Sequence, residues 1–148
     1  MKKQKIVYMV LRFVMSFIFL WAFFDKVFGL GFSTVAGKAW IHGGSPTAGF
    51  LIGAVKGPFA GIFHALAGVA VVDWLFMLGL LFIGLTLAFN KFVKWGCVAG
   101  CVMLFFMYLA LLLPANNPII DEHIVYILVL LLLAFKSEEE KKLDKNIG

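Results

Sequence analysis

The chain has 148 residues, 63% of them hydrophobic and 14% charged, with a formal net charge of +5 and a mean hydropathy of +1.01. A soluble domain is about 45–50% apolar and about 25% charged, and one of this length has too little interior to enclose so much Phe, Leu and Val. These figures exclude an ordinary soluble fold, and the positive balance requires no nucleic acid, because basic ends beside anionic lipid account for it.

A membrane span needs roughly 20 mainly apolar residues to cross about 30 Å of hydrocarbon. Four stretches are read as spans: 6–24, 69–89, 93–113 and the slightly shorter 119–135. Inside a bilayer the backbone must pair within the span, and these continuously apolar runs lack the alternation of a β-barrel. The expected fold is all-α, an integral membrane four-helix bundle in one domain, with a tail at 136–148. The basic start, Met1-Lys2-Lys3-Gln4-Lys5, resembles a signal peptide. Its apolar run is too long, however, and ends in Phe23-Phe24-Asp25-Lys26 without a small-residue cleavage site, so it reads as an uncleaved first span.

Lysine and arginine placement sets the orientation. Lys2, Lys3, Lys5 and Arg12 lie at the first end, Lys91 and Lys94 in the middle loop, and Lys136, Lys141, Lys142 and Lys145 in the tail. The opposite side carries only Lys26, Lys38 and Lys56. Both termini are therefore expected in the cytoplasm and the protein in the cell membrane.

The connection between spans one and two is the informative irregularity. Eight of the fifteen glycines fall between Gly29 and Gly57. Phe32, Val35, Ala36, Ala39 and Trp40 keep helical spacing there. Ser45-Pro46 reads as an N-cap followed by a proline that opens a second short helix over 46–55. Both pieces are too short to span and are expected as interfacial helices on the outer surface. Pro58 is expected to open the approach to span two, and Asn117-Pro118 repeats the cap-plus-proline signature before span four.

Cys97 and Cys101 are the only cysteines. Their spacing is not Cys-x-x-Cys, and Gly96-x-x-x-Gly100 beside them points to close helix packing. The ionisable groups concentrate at the outer end: Asp25 and Lys26 closing span one, Trp40 and His42 in the loop, His64 and Asp73 on the outer part of span two, and Asp121, Glu122 and His123 opening span four. Asp73 stands between Val72 and Trp74 in an apolar run and needs a partner, water or a proton. Arg12, about two turns into span one, either snorkels to the headgroups or faces the bundle. Asp121 and Glu122 also suit a helix N-terminus, and His123 shares a face with Tyr126. No pair among the three histidines has metal-ligand spacing, so no metal is expected.

Several of these residues resemble the DoxX family. They are Leu11-Arg12, Phe24-Asp25-Lys26, the Gly-rich loop with Trp40, Leu85-Thr86-Leu87, and Asn117-Pro118-Ile119-Ile120-Asp121-Glu122-His123. The particular likeness is to its DoxD-like members, the small membrane subunits of thiosulfate:quinone oxidoreductases, and it covers nearly the whole chain. The resemblance implies transfer of electrons from a sulfur compound to a membrane quinone, with a second redox subunit. It makes Asp25, Asp73 and His123 candidate catalytic acids or bases, and Arg12, Lys26, Trp40, His64 and Asp121 candidate substrate-binding residues. No haem, flavin or iron–sulfur motif is present in the sequence. The competing expectations are a non-enzymatic scaffold that anchors a soluble redox partner, and a small permease.

Overall fold

The computed structural model describes residues 2–113 and 119–147, and within them every regular element is helical. There are four long helices, α1 (Lys2–Phe28), α4 (Ala70–Phe89), α5 (Val93–Ala110) and α6 (Glu122–Ile147), and two short ones, α2 (Ala48–Gly53) and α3 (Ala60–Ala65). The short α2 and α3 lie in the α1–α4 connection together with single 3-10 turns at Ala36–Lys38 and Trp40–His42.

Among the described residues, α1 (as Lys3–Phe28), α4 and α5 are long and apolar enough to cross a membrane. Their outward faces fit that reading. Phe17 is 64%, Leu75 67% and Phe106 55% exposed, an apolar belt that water would solvate poorly and lipid solvates well. The fold is that of a helical membrane protein.

The four long helices share a core built on Met77, Leu80, Ile83, Leu87, Cys97, Leu130 and Leu133. Lipid tails are as apolar as leucine, so close packing and polar links have to hold such helices together. One link is Ser16 Oγ, which donates to the Gly84 carbonyl at 2.8 Å and ties α1 to α4. The Gly96-x-x-x-Gly100 face acts as expected. A Cβ on Gly96 would run into the Thr86 side chain, and one on Gly100 would stand 2.6 Å from Leu130 Cδ1. Cys97 sits in the core and Cys101 donates weakly to the Ile127 carbonyl, so both thiols are packing groups.

The structure refines several expected boundaries. The expected helix around Phe32 to Trp40 is reduced to the two 3-10 turns, because the backbone at Val35 and Ala39 is extended. The second short helix runs from Ala48 to Gly53, inside the expected 46–55. Ser45 nevertheless caps the turn that leads into it, accepting from the Ala48 N–H at 3.1 Å. Helix does not run on from Pro58 into span two. Gly68, with φ +75°, breaks the chain between α3 and α4, a conformation that glycine adopts without strain. The third span stops at Ala110 and not at Leu113, where the loop at Gly57 comes so close that a Cβ would lie 2.5 Å from the Leu112 carbonyl oxygen. Asn117 and Pro118 lie outside the described residues. The helix that follows starts at Glu122 and runs through the expected tail to Ile147.

The glycine contacts predict that Gly100→Val lowers stability by about 1–3 kcal/mol, the usual cost of overpacking a tight interface. Thermal unfolding in detergent micelles checks this, with Gly37→Val, at a site with open space, as the control expected to change little.

Candidate functional site

Two buried carboxylates organise one end of the molecule. Asp25, in the last turn of α1, is only 1% exposed. Its Oδ1 accepts from the Phe32 N–H at 3.2 Å, and its Oδ2 from the Ser33 N–H at 2.9 Å and the Ser33 hydroxyl at 2.6 Å. The chain can return to it because Gly29 takes φ +65° and lies so close to Ala36 that a Cβ would be 2.6 Å from its Cα.

Asp73, in the first turn of α4, is 6% exposed. Its Oδ1 accepts from the Ser45 hydroxyl at 2.8 Å, the Thr47 hydroxyl at 2.5 Å and the Thr47 N–H at 3.2 Å. Each buried carboxylate thus meets the donors that a polar group away from water requires. Asp25 and Asp73 therefore bolt the glycine-rich connection to α1 and α4.

Beneath this connection lies a cavity of about 710 Å³. Its apolar wall comes from all four long helices and includes Phe19, Phe76, Leu80, Met103, Met107 and Tyr126. Lys26 and Lys38 reach it from one side, Glu122 and His123 from another, while Ser33, Thr34, Ser45 and Pro46 form its roof. The Lys26 ammonium also stands 6.0 Å from the centre of the Phe76 ring. The volume falls within the range of small-molecule sites, which are mostly apolar with a few polar anchors.

His123 is held in place by a carboxylate. Its Nδ1 lies 2.8 Å from Asp121 Oδ2, and the two side chains are 8% and 7% exposed. Asp121 is in turn fixed by helix geometry, its Oδ1 accepting from the His123 N–H at 3.0 Å and the Ile124 N–H at 3.4 Å. It is the N-cap of α6, as carboxylates near a helix start often are. One aspartate thus starts the helix and holds the imidazole. With Nδ1–H directed to Asp121, Nε2 is the ring nitrogen left for a ligand. Asp121, Glu122 and His123 bring possible metal-ligand atoms within 4.8 Å of one another, but both Asp121 oxygens already serve the ring and the helix.

The structure therefore brings together Lys26, His123 and, behind it, Asp121. It sets Asp25 and Asp73 one layer back, holding the roof through Ser33 and Ser45. It does not bring in the other candidates. Trp40 packs edge-on against Trp74, ring centres 4.6 Å apart. His64 is exposed on α3, off the span where it was expected, and its Nε2 donates to the Val55 carbonyl at 3.1 Å. Arg12 is buried near the opposite end. Sequence reasoning passed over Ser33, Thr47, Lys38 and the cavity face of Tyr126. Of these only Tyr126 left a signal, its i+3 spacing from His123.

Truncating either bolt would orphan several buried donors, at a cost of about 2–5 kcal/mol. In hydrogen exchange, Asp73→Ala should speed exchange severalfold over 45–54, and Asp25→Ala over 29–36. A purely catalytic role for either residue would leave loop protection unchanged.

Comparison of this chain with protein-family models, with curated proteins and with solved structures gives no match.

Proposed function

We propose that this chain is the quinone-binding membrane component of a redox system, with the cavity under the glycine-rich roof as the quinone headgroup site. One observation carries the reading: an imidazole oriented by a buried carboxylate opens on a large, mostly apolar cavity that also receives an ammonium and a phenol ring. A quinone ring needs apolar and aromatic walls for its faces, and donors or acceptors for its two carbonyl oxygens.

In this arrangement Asp121 fixes the tautomer and orientation of His123, as a carboxylate does behind a working imidazole. Nε2 then exchanges a proton with one ring oxygen. Lys26, fixed at the end of α1, supplies a hydrogen bond to the other. Reduction of the ring takes two electrons and two protons. The electrons come from a second redox subunit, and the protons pass through His123 and groups at the open end of the cavity. The resemblance to DoxD-like proteins supplies thiosulfate as the electron source and a small-subunit role in a thiosulfate:quinone oxidoreductase.

The same reading makes the molecule a four-span bundle, with α6 as the fourth span. Val125, Leu128, Leu132 and Phe135 form an exposed apolar stripe on α6 at 51%, 61%, 57% and 71% exposure, which suits lipid contact. Beyond Phe135 the helix becomes charged, with Lys94–Glu138 and Lys136–Glu139 ion pairs at 3.5 and 2.7 Å. That end, with both termini, belongs in the cytoplasm of a cell-membrane protein by the charge asymmetry. The cavity then opens toward the outer leaflet.

Quenching of tryptophan fluorescence by a short-chain quinone, with the full chain in nanodiscs, tests the proposal. Saturable quenching is expected. Affinity should fall about tenfold in His123→Gln and in Lys26→Met, since about 1.4 kcal/mol from one well-placed hydrogen bond corresponds to a factor of ten. Linear quenching without saturation, unchanged in both variants, would overturn it.

A further inference from the structure

At the end of the molecule opposite the cavity, Arg12 is buried without forming an ion pair to any described residue. It is 7% exposed, on the same face of α1 as Tyr8, also 7% exposed, and the core residues Met15 and Phe19. Burial on that face excludes snorkelling along the outside of the helix.

Its Nε is enclosed and has no hydrogen-bond partner, and the same is true of the Tyr8 hydroxyl. Among the described residues no carboxylate pairs with the guanidinium. Of the α6 acids, Glu138 pairs with Lys94 and Glu139 with Lys136, while Glu140 acts on Tyr8 through space without a hydrogen bond to either side chain. Ser137 and Glu140 lie near Tyr8, but Ser137 does not reach hydrogen-bond geometry with its hydroxyl. The exposed ring of Phe13, 5.3 Å from the guanidinium carbon, covers a face without neutralising the charge.

An ionised arginine in a helix interior is costly unless something anionic meets it. Arginine offers only donors, in a planar fork that matches the oxygens of a phosphate. Tyr8 adds a further donor one turn toward the terminus. Lys3 and Lys5 continue the positive potential along exposed α1 positions. Basic pockets between helices at the cytoplasmic side are where anionic headgroups settle.

We propose that Arg12 and Tyr8 form a binding site for a phosphate oxyanion, carried by an anionic lipid headgroup or free in solution. The site lies at the end of α1 away from the cavity and does not depend on the quinone reading. Occupied, it fixes α1 against the last turns of α6 by supplying the acceptor that these two side chains lack.

Native mass spectrometry of the full chain, incubated in detergent with equimolar phosphatidylglycerol and phosphatidylcholine, tests the site. Wild type should retain phosphatidylglycerol with about tenfold preference. Arg12→Gln should lose that preference and Arg12→Lys should keep part of it. If instead inorganic phosphate raises the unfolding temperature of wild type but not of Arg12→Gln, and neither lipid is favoured, the oxyanion comes from solution. Equal retention of both lipids by wild type, with no response to phosphate, would overturn the proposal whatever the variants do.

Discussion

A buried carboxylate must find its hydrogen bonds inside the protein, and two of them dictate how this chain is arranged at one end. Asp25 and Asp73 stand on different helices, and among the described residues neither forms an ion pair at hydrogen-bond distance. Each draws the connection between those helices down onto itself, Asp25 through Phe32 and Ser33, Asp73 through Ser45 and Thr47. The roof over the cavity follows from those bonds. Without them, a stretch with so many glycines has little reason to hold one shape, because glycine backbone is costly to order. The cavity beneath keeps its roof because that roof is tied at two points.

The same end shows how one residue serves two levels of structure. Asp121 caps α6 and thereby fixes where the helix begins; the same side chain then receives the His123 ring. The start of the helix and the direction of the imidazole are therefore one event, and both depend on a side chain that a survey of charges reads simply as acidic. At the other end the balance is reversed. There a cation is buried while Glu138 and Glu139 pair with lysines, so the Arg12 Nε and the Tyr8 hydroxyl remain without an acceptor. The two ends thus solve the problem of charge in an apolar medium differently, one by internal bonds and one by an open demand.

The apolar runs and the small-residue face of α5 were legible in the sequence, because lipid-facing helices must be continuously apolar and close approach needs glycine. Boundaries were less so. Gly68 separates α3 from α4, and this removed His64 from the span on which it had been counted. Ser45 was legible as a cap but not as a donor to Asp73, 28 residues away. Likewise nothing local announces that Thr47 will reach the same carboxylate. Asp73 stood out as a group in need of partners, and Ser45 and Thr47 are those partners. The residues that face the cavity, Lys26, His123 and Tyr126, are brought together by the packing of α1 on α4, α4 on α5 and α5 on α6, which no spacing within one helix encodes.

The proposed quinone site is the cavity beneath the bolted roof. Photolabelling with an azidoquinone in nanodiscs, in the presence and absence of excess unmodified quinone, tests it most directly. The account predicts label on 33–50 and 122–126 that the competitor removes and that Asp73→Ala weakens. Label spread over the lipid-facing positions Phe17, Leu75 and Phe106, insensitive to competitor, would contradict it.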